Sequence, residues 1–288
     1  METQQIIKRT SNPDYALGHT PDELQRLMDQ SAYYGDLTRD ILERTGLGPG
    51  MTVLDIGCGA GDVTFLAAHL VGPNGKVFGI DKSPEAIALA EQRAAGAGLE
   101  NVQFIHADVN DLTLEAIALK KRVDALVGRL VLMYFADPAV ELERLARLVR
   151  PGGIIVFQEF DLLGVRSLPH CTVIEEATDR IRKTLSHLGA DIHMGLKLAQ
   201  TFERAGLPNP EQHLSAHMAH GPNSELYTQV VEVTRSLLQH MERTGVATAN
   251  EVGIDSLAER IEAEVLALDA TLVSPAYIGA WTIKPAYN

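Results

Sequence analysis

The residues best suited to chemistry form a glycine-rich turn after a short apolar run. Residues 53–62 read VLDIGCGAGD, so Asp55 stands two positions before three alternating glycines, Gly57, Gly59 and Gly61. Glycines at this spacing allow a tight turn from a strand into a helix, and they let a ligand lie against bare backbone. The pattern predicts a buried strand over residues 51–56 and a helix from Asp62.

A dinucleotide-binding turn is the first alternative for this stretch. Its pyrophosphate fingerprint is G-x-G-x-x-G, and counting from Gly57 or Gly59 places Asp62 or Thr64 at the third glycine. The observed pattern is D-x-G-x-G-x-G. The carboxylate before the glycines would repel a pyrophosphate, whereas it suits a ligand that carries an ammonium or sulfonium charge.

A second acid closes the next predicted strand, residues 76–80. Asp81 follows this strand about two dozen residues after the first glycine, where its carboxylate can accept hydrogen bonds from both hydroxyls of a ribose. A surface aspartate in front of a helix is the alternative, because Ser83 and Pro84 begin a helix there. We favour the ribose interpretation because Asp81 ends a buried strand.

The motif VLDIGCGAG resembles motif I of the class I S-adenosylmethionine-dependent methyltransferases. This resemblance implies that Asp108, after a strand at 102–106, holds the adenine amino group with Val109 beside the ring. It also implies that residues 128–134 pass beneath the cofactor, and that an N-terminal helical segment covers it, with Tyr15 at the amino-acid end or packed under the first helix. The cofactor-binding residues predicted for S-adenosylmethionine are Tyr15, Asp55, Gly57, Cys58, Gly59, Gly61, Asp81, Lys82, Asp108, Val109 and Arg129.

The elements that position these residues alternate between strand and helix. Five such units follow one another with short connections, which predicts a parallel sheet with right-handed crossovers. The leucine stripe before residue 149, an R-P-G-G turn at 150–153 and a strand at 154–158 resemble small-molecule methyltransferases. With a sixth strand at 211–219 and an antiparallel closing strand at 277–283, we predict an α/β fold. It is a Rossmann-like doubly wound seven-stranded sheet, mostly parallel, with an inserted helical lid.

Long helical segments surround this sheet, and we interpret them as covers for the binding site. One of them is a helix over residues 251–268 that begins with a capping box at Thr248. The predicted divisions are an N-terminal helical cap at 1–45, a cofactor-binding core at 46–164, a lid helix at 165–192, a core helix with strand six at 193–221, a helical lid insertion at 222–270 and the closing strand at 271–288.

Methyl transfer requires mainly that donor and acceptor be held in line, and a base is needed only if the acceptor must lose a proton. Glu159 and Asp161 follow the fifth strand, at the sheet edge where ligands bind, and they are candidate catalytic residues or simply cap and surface acids. His213, His217 and His220 suggest a metal site, but a solvated strand face is favoured. Metal-dependent catechol-type enzymes carry acids after strands four and five that this chain does not match, so we predict no metal.

The composition of the chain argues against some classes of binding partner. The chain has 288 residues, 45% of them hydrophobic, and no apolar run near 18 residues, which predicts a globular protein with no membrane partner. Its start lacks a signal-peptide pattern and its two cysteines are too few for a disulfide framework, so we expect it in the cytoplasm. A net charge of −13 argues against nucleic acid. The apolar helices after residue 222 suit either a homodimer or the wall of a pocket.

These observations favour a methyltransferase that acts on a small, fairly apolar molecule, with oxygen as the first acceptor atom and carbon or nitrogen next. S-adenosylhomocysteine would be the product of the cofactor. Two other functions are compatible with the same sequence. The cofactor could be bound as a structural or electrostatic element in a lyase- or cyclase-like protein, or the chain could be a regulatory protein that senses S-adenosylmethionine. Fold alone does not choose among them.

Overall fold

The computed structural model describes residues 21–115, 117 and 119–286. Strands of this part of the chain, in chain order, are β1 (Thr52–Ile56), β2 (Lys76–Asp81), β3 (Val102–His106), β4 (Val123–Arg129), β5 (Val149–Asp161), β6 (Arg166–Leu168), β7 (Glu211–Ser215), β8 (Met218–His220), β9 (Thr271–Val273) and β10 (Ala276–Ile283). Its helices are α1 (Pro21–Tyr33), α2 (Gly35–Arg44), α3 (Asp62–Val71), α4 (Pro84–Gly96), α5 (Pro138–Ala146), α6 (Thr172–His187), α7 (Met194–Arg204), α8 (Glu225–Thr244), α9 (Ala249–Val252) and α10 (Leu257–Leu268).

Seven strands form the main sheet in the order β3-β2-β1-β4-β5-β10-β7. The pairs among β1 to β5 are parallel, and β10 is antiparallel to both β5 and β7. Buried apolar clusters cover both faces of the sheet. The predicted Rossmann-like, mostly parallel seven-stranded sheet with an antiparallel last strand is therefore confirmed.

Local capping residues set several element boundaries. The Ser83 hydroxyl accepts a hydrogen bond from the Ala86 amide at 3.1 Å, and Asp137 does the same for Ala139 at 3.1 Å. Each of these caps precedes a proline at the first position of its helix, where the missing amide has no intrahelical partner to lose. Because such signals are local, α4 begins where the sequence predicts.

Three predictions about secondary structure are wrong. The R-P-G-G segment is not a turn but lies inside β5, where the register with β4 shifts between Val123 and Ala125. The predicted sixth strand is two strands in different sheets, β7 and β8. The predicted helix at 251–268 is interrupted by Gly253, whose left-handed backbone, with a φ of 57°, ends the short α9 before α10 begins.

A second, three-stranded sheet joins the helical segments to the core. Its order is β6-β9-β8, with both pairs antiparallel. These strands immediately flank the helical segments, since β6 precedes α6, β8 precedes α8 and β9 follows α10. Helix α6 packs against α8 and α10, and α1 also contacts α8. No helix of the described residues is long and apolar enough to span a membrane.

Candidate functional site

A cavity of about 550 Å³ opens at the carboxyl ends of the central parallel strands. Its size lies in the range of small-molecule sites. One wall consists of the turn after β1 and the ends of β2 and β4, and the other consists of side chains from α1, α6 and α8. The cavity therefore lies where open parallel sheets bind ligands, and helical segments cover it.

The glycine turn requires glycine at specific positions. Gly57, Gly59 and Gly61 have φ values of 65°, 53° and 92°, which other residues rarely adopt. A Cβ atom on Gly61 would lie 2.8 Å from the Phe65 ring and 3.0 Å from the Phe104 ring. Gly57 and Gly59 line the cavity, whereas Gly61 precedes the first residue of α3. The turn thus presents bare backbone to a ligand and directs the amino end of α3 toward it.

The carboxylate of Asp81 connects β2 to this turn. Its Oδ2 atom accepts a hydrogen bond from the Gly59 amide and its Oδ1 atom accepts one from the Ser83 amide, each at 2.9 Å. The residue is only 8% exposed and lines the cavity beside Lys82. Each carboxylate oxygen has a second lone pair, so Asp81 can still accept bonds from a ligand.

Asp55 is among the predicted cofactor-binding residues, but its side chain does not face the cavity. It does not line the cavity, and it is 1% exposed. Its Oδ2 atom accepts a hydrogen bond from the Thr64 hydroxyl at 2.6 Å. Burial raises the pKa of this carboxyl to about 7, partly offset by the Thr64 bond and by Arg129. Asp55 therefore stabilises the turn from below by joining β1 to α3.

The remaining predicted cofactor residues meet at the same cavity, apart from Tyr15, which lies outside the described residues. Asp108 Oδ1 accepts bonds from the Asn110 amide at 2.8 Å and the Asn110 side chain at 2.7 Å. Asp108, Val109 and Cys58 all line the cavity. Burial, together with the nearby Asp55 and Asp81 carboxylates, raises the pKa of the Cys58 thiol well above its ordinary value, so it stays protonated.

Arg129 places a positive charge between the sheet and the N-terminal helices. Its guanidinium donates hydrogen bonds to the Ser31 hydroxyl of α1 and, at 3.3 Å, to the Thr38 hydroxyl of α2. Among the described residues no carboxylate lies within 4 Å of it. Because it lines the cavity, its charge is available to a ligand anion.

Neither candidate catalytic acid, Glu159 or Asp161, lines the cavity, although Phe160 between them does. Glu159 is fully buried, and its Oε1 atom accepts bonds from the amides of Val131 at 2.9 Å and Leu132 at 2.7 Å. Burial raises the pKa of this carboxyl to about 8. Asp161 Oδ1 lies 3.1 Å from His193 Nδ1. Their placement does not support catalytic roles, because successive residues of a strand point to opposite faces.

The three histidines considered for a metal site lie apart and have separate partners. His213 and His217 pair with Asp40 at 3.4 Å and Asp36 at 3.3 Å, respectively. His220 Nδ1 lies 3.1 Å from the Ala270 carbonyl in the small sheet. Within the described part of the chain, no group of three or more histidine, cysteine or acidic side chains is arranged to hold a metal ion.

None of the individual residues that form the outer half of the cavity is among the predicted site residues. They are mostly apolar side chains from α6, α8 and the loops that follow β4 and β5, and they include Met133, Phe135, Leu162, Ile181, Leu185, Val230, Val233 and Leu237. Polar groups in the same lining include Arg26, Arg182 and Gln229. The apolar spacing along α6 and α8 predicts an inward face, and both segments are among the predicted covers of the site, but spacing alone does not identify the side chains that would contact a ligand.

Comparisons with known proteins agree with this geometry. Residues 47–206, more than half of the chain, match a family model described as a methyltransferase domain. A demethylmenaquinone methyltransferase of Geobacillus stearothermophilus is 32% identical over 133 residues, which cover 45% of this chain and 55% of the relative. An arsenite methyltransferase of Halobacterium salinarum is 34% identical over 113 residues, which cover 39% of this chain and 28% of the relative. The matches thus span about half of these relatives or less.

Two solved structures share the fold over most of the chain. The phospholethanolamine N-methyltransferase 2 of Haemonchus contortus superposes with a TM-score of 0.54 at 17% identity, over 91% of this chain and 57% of that one. The [4+2]-cyclase SpnF superposes with a TM-score of 0.50 at 21% identity, over 87% of this chain and 80% of that one. At these identities the likeness concerns the fold alone.

Proposed function

Because the chain belongs to the class I S-adenosylmethionine-dependent methyltransferase family, we propose that it transfers the methyl group of that cofactor to a small, fairly apolar acceptor. The observation that carries this proposal is the continuity of one cavity. The same space is bounded by the glycine turn with Asp81 and Asp108 on one side and by the apolar side chains of α6 and α8 on the other. A donor at the turn and an acceptor under the helices would therefore meet.

The turn residues fit the cofactor. Asp81 would accept bonds from the ribose hydroxyls with its free lone pairs, and Asp108 with Val109 would hold the adenine. Gly59 leaves room for the amino-acid part, since a Cβ there meets nothing within 4 Å and would project into open space. Arg129 would oppose the carboxylate of that part. Lys82 and Cys58 complete the wall, and Tyr15 remains a predicted contact.

The cofactor supplies an electrophilic methyl group on a sulfonium, so the protein acts mainly by positioning and by excluding water. Orientation of two reactants in a dry site can contribute on the order of 7 to 11 kcal/mol to lowering a barrier. Helices α1, α6 and α8 would provide that enclosure. Oxygen is the acceptor atom that we favour, with carbon and nitrogen next.

Methyl transfer can be tested without knowing the acceptor. The purified chain is incubated with methyl-labelled S-adenosylmethionine and an organic extract of small metabolites, and labelled products are separated from unreacted donor. We expect label in at least one apolar product together with S-adenosylhomocysteine. Micromolar cofactor binding with no labelled product across broad extracts would contradict the transferase proposal and favour a cyclase-like or sensing role.

A further inference from the structure

We propose that the acceptor is an apolar carboxylic acid, methylated on a carboxylate oxygen to give its methyl ester. This inference rests on the proposed function and narrows it to one class of substrate. Three features of the cavity carry it: a guanidinium set in the apolar helical wall, the distribution of charge along the cavity, and the kinds of titratable side chain that line it.

Arg182 brings a positive charge into the outer, apolar half of the cavity. It lies on α6 next to Ile181, three residues before Leu185, and all three line the cavity. Its side chain is only 15% exposed. The nearest carboxylate is Asp179 at 3.5 Å, and that acid also contacts Lys183 at the shorter distance of 2.7 Å. Because the Asp179 carboxylate is shared between two cations, it neutralises Arg182 only in part. The guanidinium can therefore still bind an anion in the cavity.

The lining carboxylates lie at one end of the cavity only, whereas lining cations lie at both ends, with Lys82 and Arg129 beside the turn. The lining carboxylates are those of Asp62, Asp81 and Asp108, and they lie around the glycine turn. The helical side carries Arg182 and also Arg26 of α1, which is 4% exposed. The whole chain has a net charge of −13, so the buried arginines at this end give the cavity a local charge opposite in sign to that of the chain. An anionic group on an otherwise apolar acceptor matches such a wall.

In the part of the chain that the structure describes, the lining lacks the side chains that most often act as general bases. No histidine or glutamate lines the cavity in the described part of the chain. Each of the three lining aspartates accepts hydrogen bonds from the protein: Asp62 from Arg93 at 2.7 Å, Asp81 from two backbone amides, and Asp108 from Asn110. Burial raises the pKa values of Cys58 and Tyr34 above their ordinary range. An acceptor that needs deprotonation, such as an alcohol, would lack a partner, whereas a carboxylic acid is already ionised at neutral pH.

The transfer balances without any proton movement. A lone pair of the carboxylate forms the new O–CH₃ bond while the S–CH₃ bond breaks, and its electron pair remains on sulfur as a neutral thioether. A cation and an anion are thereby converted into two uncharged groups. Such a step is favoured by a cavity of low dielectric, because opposite charges attract more strongly there and the separated charges are poorly solvated. Arg182 offsets the cost of bringing the carboxylate into that cavity.

The test uses matched acceptors that share an apolar skeleton. Straight-chain acids of eight to fourteen carbons and phenylalkanoic acids are each compared with the corresponding primary alcohol, amide and, for the aromatic series, phenol. Methyl-labelled S-adenosylmethionine is the donor, and each product is treated with alkali. We expect label in products of the acids alone, and we expect alkali to release it as methanol because esters hydrolyse and methyl ethers do not.

The variant Arg182→Gln tests the recognition step. It should raise KM for the acid at least tenfold and leave S-adenosylhomocysteine binding unchanged. Arg235→Gln is the control, since it removes the same charge from an exposed residue of α8 that does not line the cavity, and its KM should stay near that of the unmodified protein.

Alkali-stable label in alcohols, phenols or amides, with the acids unmodified, overturns the carboxylate inference and leaves methyl transfer standing. Cofactor binding without methylation of any acid in the panel also overturns it. Failure to bind S-adenosylhomocysteine would instead remove the proposed function. An unchanged KM in Arg182→Gln would contradict the role of that residue.

Discussion

The Oδ2 atom of Asp81 accepts a hydrogen bond from the Gly59 amide at 2.9 Å, so the end of β2 is tied directly to the turn after β1. The acid predicted to hold the ribose is also part of the structure that shapes the turn. A substitution at Asp81 therefore affects both a direct contact and the placement of its neighbours.

We expect Asp81→Ala to weaken binding of S-adenosylhomocysteine at least tenfold. Each charge-assisted hydrogen bond contributes roughly 1.5 to 3 kcal/mol, and a factor of ten in affinity corresponds to about 1.4 kcal/mol. Asp81→Asn should lose less affinity for S-adenosylhomocysteine than Asp81→Ala, because it keeps one acceptor oxygen. Its amide group will, however, face a backbone amide of Gly59 or Ser83. Calorimetric titration measures both. Unchanged affinity in both variants would show that Asp81 does not contact the cofactor.

Alanine substitutions at two glycines of the turn should affect folding stability and cofactor binding to different extents. Gly61→Ala forces a side chain into a left-handed backbone and within 3.0 Å of two phenylalanine rings, so it should cost roughly 2 to 4 kcal/mol. Gly59→Ala meets no atom within 4 Å and should cost only about 1 kcal/mol while it obstructs the cofactor. Thermal unfolding and calorimetry should therefore rank the two variants in opposite orders. Equal melting temperatures would contradict the packing at Gly61.

The buried carboxyl of Glu159 should make stability depend on pH. Burial raises its pKa in the folded protein to about 8, from an ordinary value of 4.5. Because the folded pKa is the higher one, the protonated form stabilises the fold; this contribution is complete below about pH 4.5 and is lost as pH rises through about 8. Glu159→Gln keeps an acceptor for the Val131 and Leu132 amides and cannot ionise.

We expect the melting temperature of the unmodified protein to fall by several degrees relative to Glu159→Gln between pH 5 and pH 8. Asp55 has a raised pKa of the same sign, but it is present in both proteins and cancels in the difference. Glu159→Leu serves as the control at fixed pH, because it leaves two amides without their acceptor at a cost of about 1 to 3 kcal/mol. Parallel melting curves of the unmodified protein and the Gln variant across this pH range would show that Glu159 is already ionised in the fold.

The sequence predicts those parts of the fold whose signals are local. Strand β3 lies where predicted, and the acids Asp81 and Asp108 lie at strand ends because apolar runs and caps mark those ends. The helix over 251–268 is mispredicted because a single glycine inside a helical pattern has two outcomes, tolerance or termination, and only the packing around Gly253 decides between them.

The direction of side chains on β5 is not encoded locally. Both faces of β5 are buried, so its apolar pattern does not distinguish the cavity side from the other. Phe160 consequently lines the cavity while the candidates Glu159 and Asp161 do not. The cavity wall from α6 and α8, including Arg182, depends on tertiary packing of amphipathic helices, for which sequence gives only the apolar face.

Calorimetric titration of the purified chain with S-adenosylhomocysteine and, separately, with a nicotinamide dinucleotide tests the central claim most directly. The turn lacks the third glycine of a dinucleotide site, and Asp81 and Asp108, which we predict to contact the ribose and the adenine, line the same cavity. We predict binding of S-adenosylhomocysteine with a Kd of micromolar or lower and no binding of the dinucleotide. Binding of the dinucleotide with no heat from S-adenosylhomocysteine would contradict the assignment of the cofactor.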